Sequence, residues 1–348
     1  MKKTFLICGG AGFIGSHFIR SMLKDKNIII NFDLLTYAAS LSTLSEFNMN
    51  KNYKFVKGNI GDKKKIRFIL KKYKPDVIIN FAAETHVDRS IDNPNTFINT
   101  NILGVYNLLN NSLEYWNKIK KNRKKFRFIQ ISTDEVYGSV NKGKSKELSL
   151  ISPSSPYSAS KASADHLIFS YFQTFSFPSL ILRPSNNYGP YQFPEKLIPL
   201  IILNAIEEKK LPIYGTGKNI RNWLYIDDNI NAIKKIMLRG KIGDFYNIGG
   251  QEEFSNIELV RSICRKLDVI KPRKNKKKYE SLIVFVKDRP GHDLRYSLDS
   301  KKICNEINWK PKIKLSKGLE LTIKWYLENK TWWNSIRKFK YKGERLGN

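Results

Sequence analysis

Short apolar runs alternate with amphipathic stretches through the first half of the chain. Thr4–Cys8, Ile28–Phe32, Tyr53–Lys57, Val77–Ala82, Phe126–Ile131 and Ser179–Arg183 are five or six residues long and rich in Ile, Val, Leu and Phe. They predict buried strands. Between them, Asp62–Tyr73 carries apolar residues at helical spacing, and Asn93–Ile119 predicts a long helix open to a break. Ser155 as N-cap and Pro156 at the first helical position open a helix over Tyr157–Phe175. This alternation predicts an α/β chain with a Rossmann-like, doubly wound parallel sheet joined by right-handed crossovers.

Beyond Arg183 the pattern loosens. Ser185–Pro194 reads as loop, followed by a helix over Glu195–Lys209, a short strand near Ile213 and another at Trp223–Ile226. A helix over Asp227–Leu238, a strand at Phe245–Ile248 and a helix over Ser255–Leu267 come next, and Lys271–Tyr279 reads as a solvated loop. Trp309, Trp325, Trp332 and Trp333 predict core packing in a smaller C-terminal lobe. The expected division is a larger lobe, 1–184, and a smaller one, 185–348. The lobes interleave, with part of about 220–250 returning to the first, and a cleft lies between them.

Composition changes this picture little. The net charge is +31, but Lys outnumbers Arg 47 to 15, the reverse of what base readout favours. The lysines scatter, with short clusters at Lys63–Lys65, Lys118–Lys125 and Lys271–Lys278, which fits drift onto solvated faces better than a nucleic-acid surface. Three cysteines, Cys8, Cys264 and Cys304, lack metal-ligand spacing, so neither disulfides nor a metal is expected. No run approaches the roughly 18 apolar residues of a membrane helix, and the apolar start ends at Gly9-Gly10 without a cleavage site. A cytoplasmic protein is the expectation.

The chemistry-bearing residues sit at strand ends. Gly10-Ala-Gly12-Phe-Ile-Gly15 follows a strand and opens a helix, the context in which such a loop cradles a pyrophosphate. Asp33 ends the second strand 18 residues after Gly15, where a carboxylate binds ribose hydroxyls and favours NAD over NADP. Tyr157 and Lys161, four apart, share a helix face, and an adjacent cation favours the phenolate, making Tyr157 a base for an alcohol. Ser132-Thr133-Asp134-Glu135 sets a hydroxyl and two carboxyls where a strand runs out. Those residues also fit a capping box, with Ser132 as N-cap and Glu135 at N3. Read as chemistry, the two runs indicate oxidation coupled to elimination.

On these motifs the chain resembles the dTDP-glucose 4,6-dehydratases of the extended short-chain dehydrogenase/reductase superfamily, over nearly its whole length. The specific segments are Gly9–Ser16, Phe81–Ser90, Ser132–Gly138, Tyr157–Lys161, Arg183–Lys196, Asn219–Tyr225 and Asp288–Asp293. The resemblance implies NAD-dependent oxidation at C4 of a nucleotide-linked glucose, loss of water across C5 and C6, and hydride return to C6. Tyr157 would be the base at the 4-hydroxyl, Thr133 its hydrogen-bonding companion, Glu135 the base at C5 and Asp134 the acid at the 6-hydroxyl. Lys161 would also hold the nicotinamide ribose. The NAD site implied comprises Gly9, Gly12, Phe13, Ile14, Gly15, Asp33, Leu34, Leu35, Thr36, Asn59, Ile60, Phe81, Ala82, Ala83, Glu84, Thr85, Thr100, Tyr157, Lys161 and Asn187. The sugar-nucleotide site implied comprises Thr85, Thr133, Asn186, Lys196, Leu197, Pro212, Ile213, Tyr214, Arg221, Asn256, Arg289 and His292, with Lys196, Arg221 and Arg289 suited to a diphosphate. His292 equally fits a packing histidine. A homodimer is also implied.

Three positions depart from the family pattern: Asn59 and Asn222 stand where Asp is usual, and Cys8 where Thr is common. Rival readings are a nucleotide-sugar 4-epimerase, which has no use for Asp134-Glu135, and a dehydratase for UDP-glucose or GDP-mannose. A non-catalytic basic protein binding NAD or RNA is the remote alternative.

Overall fold

The computed structural model describes residues 2–119 and 123–339; part of the Lys118–Lys125 cluster and the chain beyond 339 lie outside them. Six strands come in the first half: β1 (Thr4–Cys8), β2 (Ile28–Asp33), β3 (Tyr53–Lys57), β4 (Val77–Asn80), β5 (Arg127–Ile131) and β6 (Ser179–Pro184). The chain then runs through β7 (Asn186–Tyr188), β8 (Leu211–Tyr214), β9 (Ile220–Tyr225), β10 (Phe245–Ile248), β11 (Glu253–Ser255) and β12 (Ile283–Val286). The main sheet is parallel in the order β10-β6-β5-β4-β1-β2-β3. Its strand order reverses between β1 and β4, the place where open α/β sheets bind ligands. The smaller sheets are β11-β9-β7 and β12-β8.

Six helices precede β6 or lead into it: α1 (Phe13–Lys24), α2 (Lys63–Tyr73), α3 (Val87–Asp92), α4 (Pro94–Phe97), α5 (Val105–Lys118) and α6 (Pro156–Phe175). The later ones are α7 (Leu197–Ile206), α8 (Ile226–Arg239), α9 (Asn256–Ile270), α10 (Lys301–Ile307), α11 (Leu315–Glu328) and α12 (Lys330–Phe339). Alternation along β1 fills both faces of the sheet: Phe5 and Ile7 join one core cluster, Leu6 and Cys8 the other. The first cluster continues without a break through Trp223, Trp309 and Trp333, with Trp325 and Trp332 packed against it. One apolar core therefore spans the main sheet and the C-terminal elements.

Several predicted boundaries move. The helix expected over Asn93–Ile119 is α4, a π-helical stretch over Ile98–Gly104, and α5. The strand expected to reach Ala82 ends at Asn80, whose side chain accepts from the Ala82 N–H (3.1 Å) and donates to Gln130 (2.9 Å). That local bond turns the backbone out of the ladder. The strand near Trp223 begins at Ile220, and the expected loop Ser185–Pro194 contains β7. β12, the apolar run Ile283-Val-Phe-Val286, is not among the expected strands and pairs in parallel with β8. The Lys271–Tyr279 stretch is not wholly solvated: Arg273 pairs with Glu208 (2.9 Å) and Tyr279 is buried.

Candidate functional site

A cleft of about 310 Å³ opens over the C-terminal ends of β1, β4 and β5. Its floor is the glycine loop. Gly9 has φ +75°, and a Cβ there would lie 2.4 Å from the Ala82 nitrogen; one at Gly15 would lie 2.4 Å from the Gly9 carbonyl. Only glycine permits these approaches. Gly12 caps α1 without a side-chain hydrogen bond, so the first amides of the helix are left for an anion. Phe13 and Ile14 lie at that end, lining the cleft. Asp33 accepts from the N–H groups of Ala11 (2.9 Å) and Leu35 (2.7 Å), fastening the loop as well as lining the cleft. Leu34, Thr36, Asn59 and Ile60 continue one wall, and Phe81, Ala82, Ala83, Glu84, Thr85 and Thr100 another. Leu35, at φ +60°, offers its backbone to Asp33 and does not line the cleft.

The π-helical stretch has a local purpose. It points Asn101 inward, where its amide donates to the Glu84 carbonyl (3.0 Å) and to Ser160 (2.9 Å) and accepts from the Glu84 N–H (2.9 Å). A regular helix would turn that side chain elsewhere. The wall of the cleft is thereby tied to α6.

The structure brings Thr133, Asp134, Glu135, Tyr157 and Lys161 together in the cleft, all but Glu135 buried. Thr133, not Ser132, is the N-cap of the short 3₁₀ turn Asp134–Tyr137; its hydroxyl accepts from the Glu135 N–H (3.3 Å). Ser132 donates instead to Asp165 (2.9 Å), which corrects the capping-box reading. Burial, then the charge of Glu135, pushes the Asp134 carboxyl up to about 8. Burial also raises Glu135, but Arg289, Arg221 and Lys196 all act to lower it.

Lys161 shares the buried face of the α6 helix with Tyr157. Its Nζ donates to the Ile131 carbonyl (2.7 Å), and burial pushes it down to about 8. Tyr157 is pushed well up, by burial first and Glu135 next, with the Thr133 hydroxyl acting against them. In the protein alone the phenolate is not favoured.

Of the three cations, Lys196 lines the cleft; Arg221 and Arg289, like Tyr214 and His292, do not, though both arginines act on the Glu135 carboxyl. Lys196 donates to the Thr85 carbonyl (3.2 Å), and Asn186 and Asn187 line the same side. Arg221 is buried over the Tyr296 ring (4.2 Å) and donates to the Asp293 carbonyl (3.0 Å). Arg289 pairs with Asp88 (3.5 Å), which also accepts from Tyr214 (2.8 Å). His292 bonds Asp288 (2.6 Å) through Nδ1 and stands edge-on to Tyr214. Leu197 begins α7, Asn256 begins α9, and Pro212 and Ile213 lie on β8, none of them lining the cleft; Ile213 is a core residue.

The donors and acceptors fit a dinucleotide and a second anionic ligand. Asp134 Oδ2, Glu135 Oε2, Asn186 Oδ1, Asn187 Oδ1 and Arg289 Nε are buried and have no hydrogen-bond partner among the described residues. Buried polar atoms in such positions are held for a ligand or for chemistry.

The model of the GDP-mannose 4,6 dehydratase family matches residues 6–322. A dTDP-glucose 4,6-dehydratase from Xanthomonas campestris is 45% identical over 99% of both chains. A crystal structure of dTDP-glucose 4,6-dehydratase from Bacillus anthracis in complex with NAD is 41% identical, with a TM-score of 0.85 over 96% of this chain and 99% of that one. One from Streptomyces venezuelae, also with NAD bound, is 39% identical with a TM-score of 0.88 over the same shares. The chain belongs to the dTDP-glucose 4,6-dehydratase family.

In this dehydratase the residues missed from sequence are supports. Asn101 shows in sequence only as one polar residue of a helix. Asp88 lies inside a matched segment, but its pairing with Arg289, 201 residues away, has no local signal. Glu195 is buried beside the cleft, accepts from Tyr37 (2.9 Å) and stands 3.6 Å from Lys196, whereas its sequence context reads as a helix start.

Proposed function

We propose that this chain converts dTDP-glucose to its 4-keto-6-deoxy product, with NAD as a resident cofactor. The observation that carries the reading is the adjacent pair Asp134 and Glu135 beside Tyr157 in a dinucleotide cleft. An epimerase has no need of an acid and a base at C6 and C5.

NAD⁺, when bound, accepts and later returns a hydride and brings a positive charge to the site. The glycine loop and the amides of α1 would hold its pyrophosphate, and Asp33 its adenosine ribose. Tyr157 takes the proton of the sugar 4-hydroxyl. Because burial holds the phenol up, the charge that releases its proton has to come from the assembled site, Lys161 included. Thr133, in hydrogen-bonding reach of the phenol, shares the sugar's 4-oxygen. Once C4 is a ketone the C5 hydrogen is acidic, and Glu135, faced by three cations, removes it. Asp134, still protonated at neutral pH, gives its proton to the departing 6-hydroxyl. Lys196, Arg221 and Arg289 compensate the diphosphate, with Arg289 leaving Asp88 to do so.

The division into a cofactor lobe, 1–184, and a sugar-nucleotide lobe, 185–348, is part of this reading; β10 is the segment that returns to the main sheet. A cytosolic homodimer is proposed as well. Among the described residues no helix is long and apolar enough to cross a membrane. Ile98, Leu103, Tyr106 and Phe175 leave apolar side chains exposed on the π-helical stretch, α5 and α6. Leu103→Lys should halve the mass seen by sedimentation. No nucleic-acid partner is proposed, since Lys outnumbers Arg 47 to 15 and the lysines scatter along the chain.

The test is incubation of the purified protein with dTDP-glucose, UDP-glucose and GDP-mannose. A 4-keto-6-deoxy product from dTDP-glucose is expected. Turnover of either of the others in its place would reassign the substrate, and a C4 epimer would overturn the reaction.

A further inference from the structure

Tyr157, Lys161 and Asp165 recur at four-residue intervals on α6 and are all buried. They form one stripe on the helix. The third has no part in the chemistry above, yet its surroundings are as closely built. One oxygen, Oδ2, accepts from Ser132 (2.9 Å) and from Arg183 Nε (2.8 Å). The other, Oδ1, is buried without a hydrogen-bond partner among the described residues. Arg183 goes on to donate to the Tyr137 hydroxyl (2.8 Å) and the Glu147 carbonyl (3.1 Å), and Tyr137 donates to Asn247 (2.8 Å). The network thus joins α6 to β5, β6 and β10, and Ser132 is the residue immediately before Thr133, Asp134 and Glu135.

We propose that Asp165 is a positioning residue, holding α6 in register with the end of β5 through Ser132 and keeping Lys161 a cation through its carboxylate. This rests on the roles given to Tyr157 and Lys161 in the proposed function. Two facts support it besides the geometry. Lys161 donates to the Ile131 carbonyl (2.7 Å), which carries no charge to offset its burial. Asp165 is the charge that opposes the effect of burial on Lys161. Other ionisable groups around this part of the fold are Tyr157 on the same helix, Asp134 and Glu135 on the turn after β5, Tyr137 on that turn, Arg183 on β6, and Glu147, whose charge acts on Tyr137. A buried Asp–Arg pair alone would be a structural feature of uncertain benefit to stability. Its continuation of the Tyr157–Lys161 stripe gives it a catalytic consequence.

The test titrates Lys161 directly, in protein carrying [6-¹³C]lysine, with its resonance assigned by its loss in Lys161→Met. In Asp165→Asn, which keeps shape and an acceptor for Ser132, the Lys161 midpoint should fall by about one unit or more. Asp165→Glu should restore it. If Asp165→Asn does not fold, the charge-free pair Asp165→Asn/Arg183→Gln carries the same expectation without stranding a buried guanidinium. Turnover of dTDP-glucose should fall through kcat with KM little changed, and Ser132→Ala should lower kcat without moving the Lys161 midpoint. An unmoved midpoint in folded Asp165→Asn or in the double variant overturns the proposal. Absence of dehydration by the unaltered protein would overturn the functional reading instead, so the two failures are separable.

Discussion

Asp134 and Glu135 are neighbours in the chain and live in different fields: Glu135 is the foremost charge raising Asp134, whereas Arg289, Arg221 and Lys196 all act to lower Glu135. Three cations act to lower Glu135 and only one of them, Arg221, is among the charges acting to lower Asp134, so the balance of positive charge favours an ionised Glu135. One proton between them therefore belongs on Asp134. If Asp134 is the acid proposed above, turnover should be lost as pH rises through about 8, where its carboxyl ionises. A pH profile of kcat checks this; a profile flat through pH 8–9 in a stable enzyme would place the acid elsewhere.

Substitution separates the two carboxyls. Asp134→Asn should still oxidise C4, while expulsion of the 6-hydroxyl slows by about 10²–10⁴-fold. Glu135→Gln should also permit oxidation but block exchange of the C5 hydrogen with deuterated solvent. A dTDP-glucose carrying fluoride at C6 needs no acid for departure, so it should rescue Asp134→Asn far better than Glu135→Gln. Equal rescue would mean that acid and base are exchanged.

Tyr157→Phe removes the phenol proposed as base for the first step. Neither the absorbance of reduced nicotinamide nor any keto sugar should appear on mixing with substrate. Formation of reduced cofactor at the normal rate would assign the proton to another group.

Because the hydride is lent and returned, NAD should stay with the protein through purification. Denaturation should release close to one dinucleotide per chain, and turnover should not consume added NAD⁺. Gly15→Val should yield protein without it, since even a Cβ at this position meets the Gly9 carbonyl at 2.4 Å. Retained dinucleotide in that variant would show that the loop is not the pyrophosphate cradle.

Lys274, Lys276, Lys277 and Lys278 are exposed, apart from the cleft lining. Replacing all four with Gln should leave kcat and KM nearly unchanged, with effects on stability of about half a kcal/mol per site. A large rise in KM for the sugar nucleotide would bring this run into the substrate's path.

The alternation of apolar runs and amphipathic stretches determined the parallel sheet, because strands buried on both faces must be apolar throughout and their crossover helices must show one apolar side. Local motifs determined the glycine loop, Asp33 and the catalytic set, since each uses geometry written within a few residues: a turn, a helix N-terminus, a four-residue stripe. The protonation states were decided only by the fold. Spacing placed Lys161 on the face of Tyr157, but whether a cation favours a phenolate depends on burial and on where the ammonium points, and it points at the Ile131 carbonyl. Ser132 looked like a cap because Glu135 follows at the right distance; packing of α6 against β5 brought Asp165 to it instead, leaving Thr133 to cap the turn. The π-helical stretch is likewise invisible to periodicity, since it exists to let Asn101 reach Glu84 and Ser160, 17 and 59 residues away. Sequence reports what a residue can do with its neighbours in the chain; the charge on Asp134, the reach of Lys161 and the pairing of Asp88 with Arg289 belong to residues that meet only when the chain is folded.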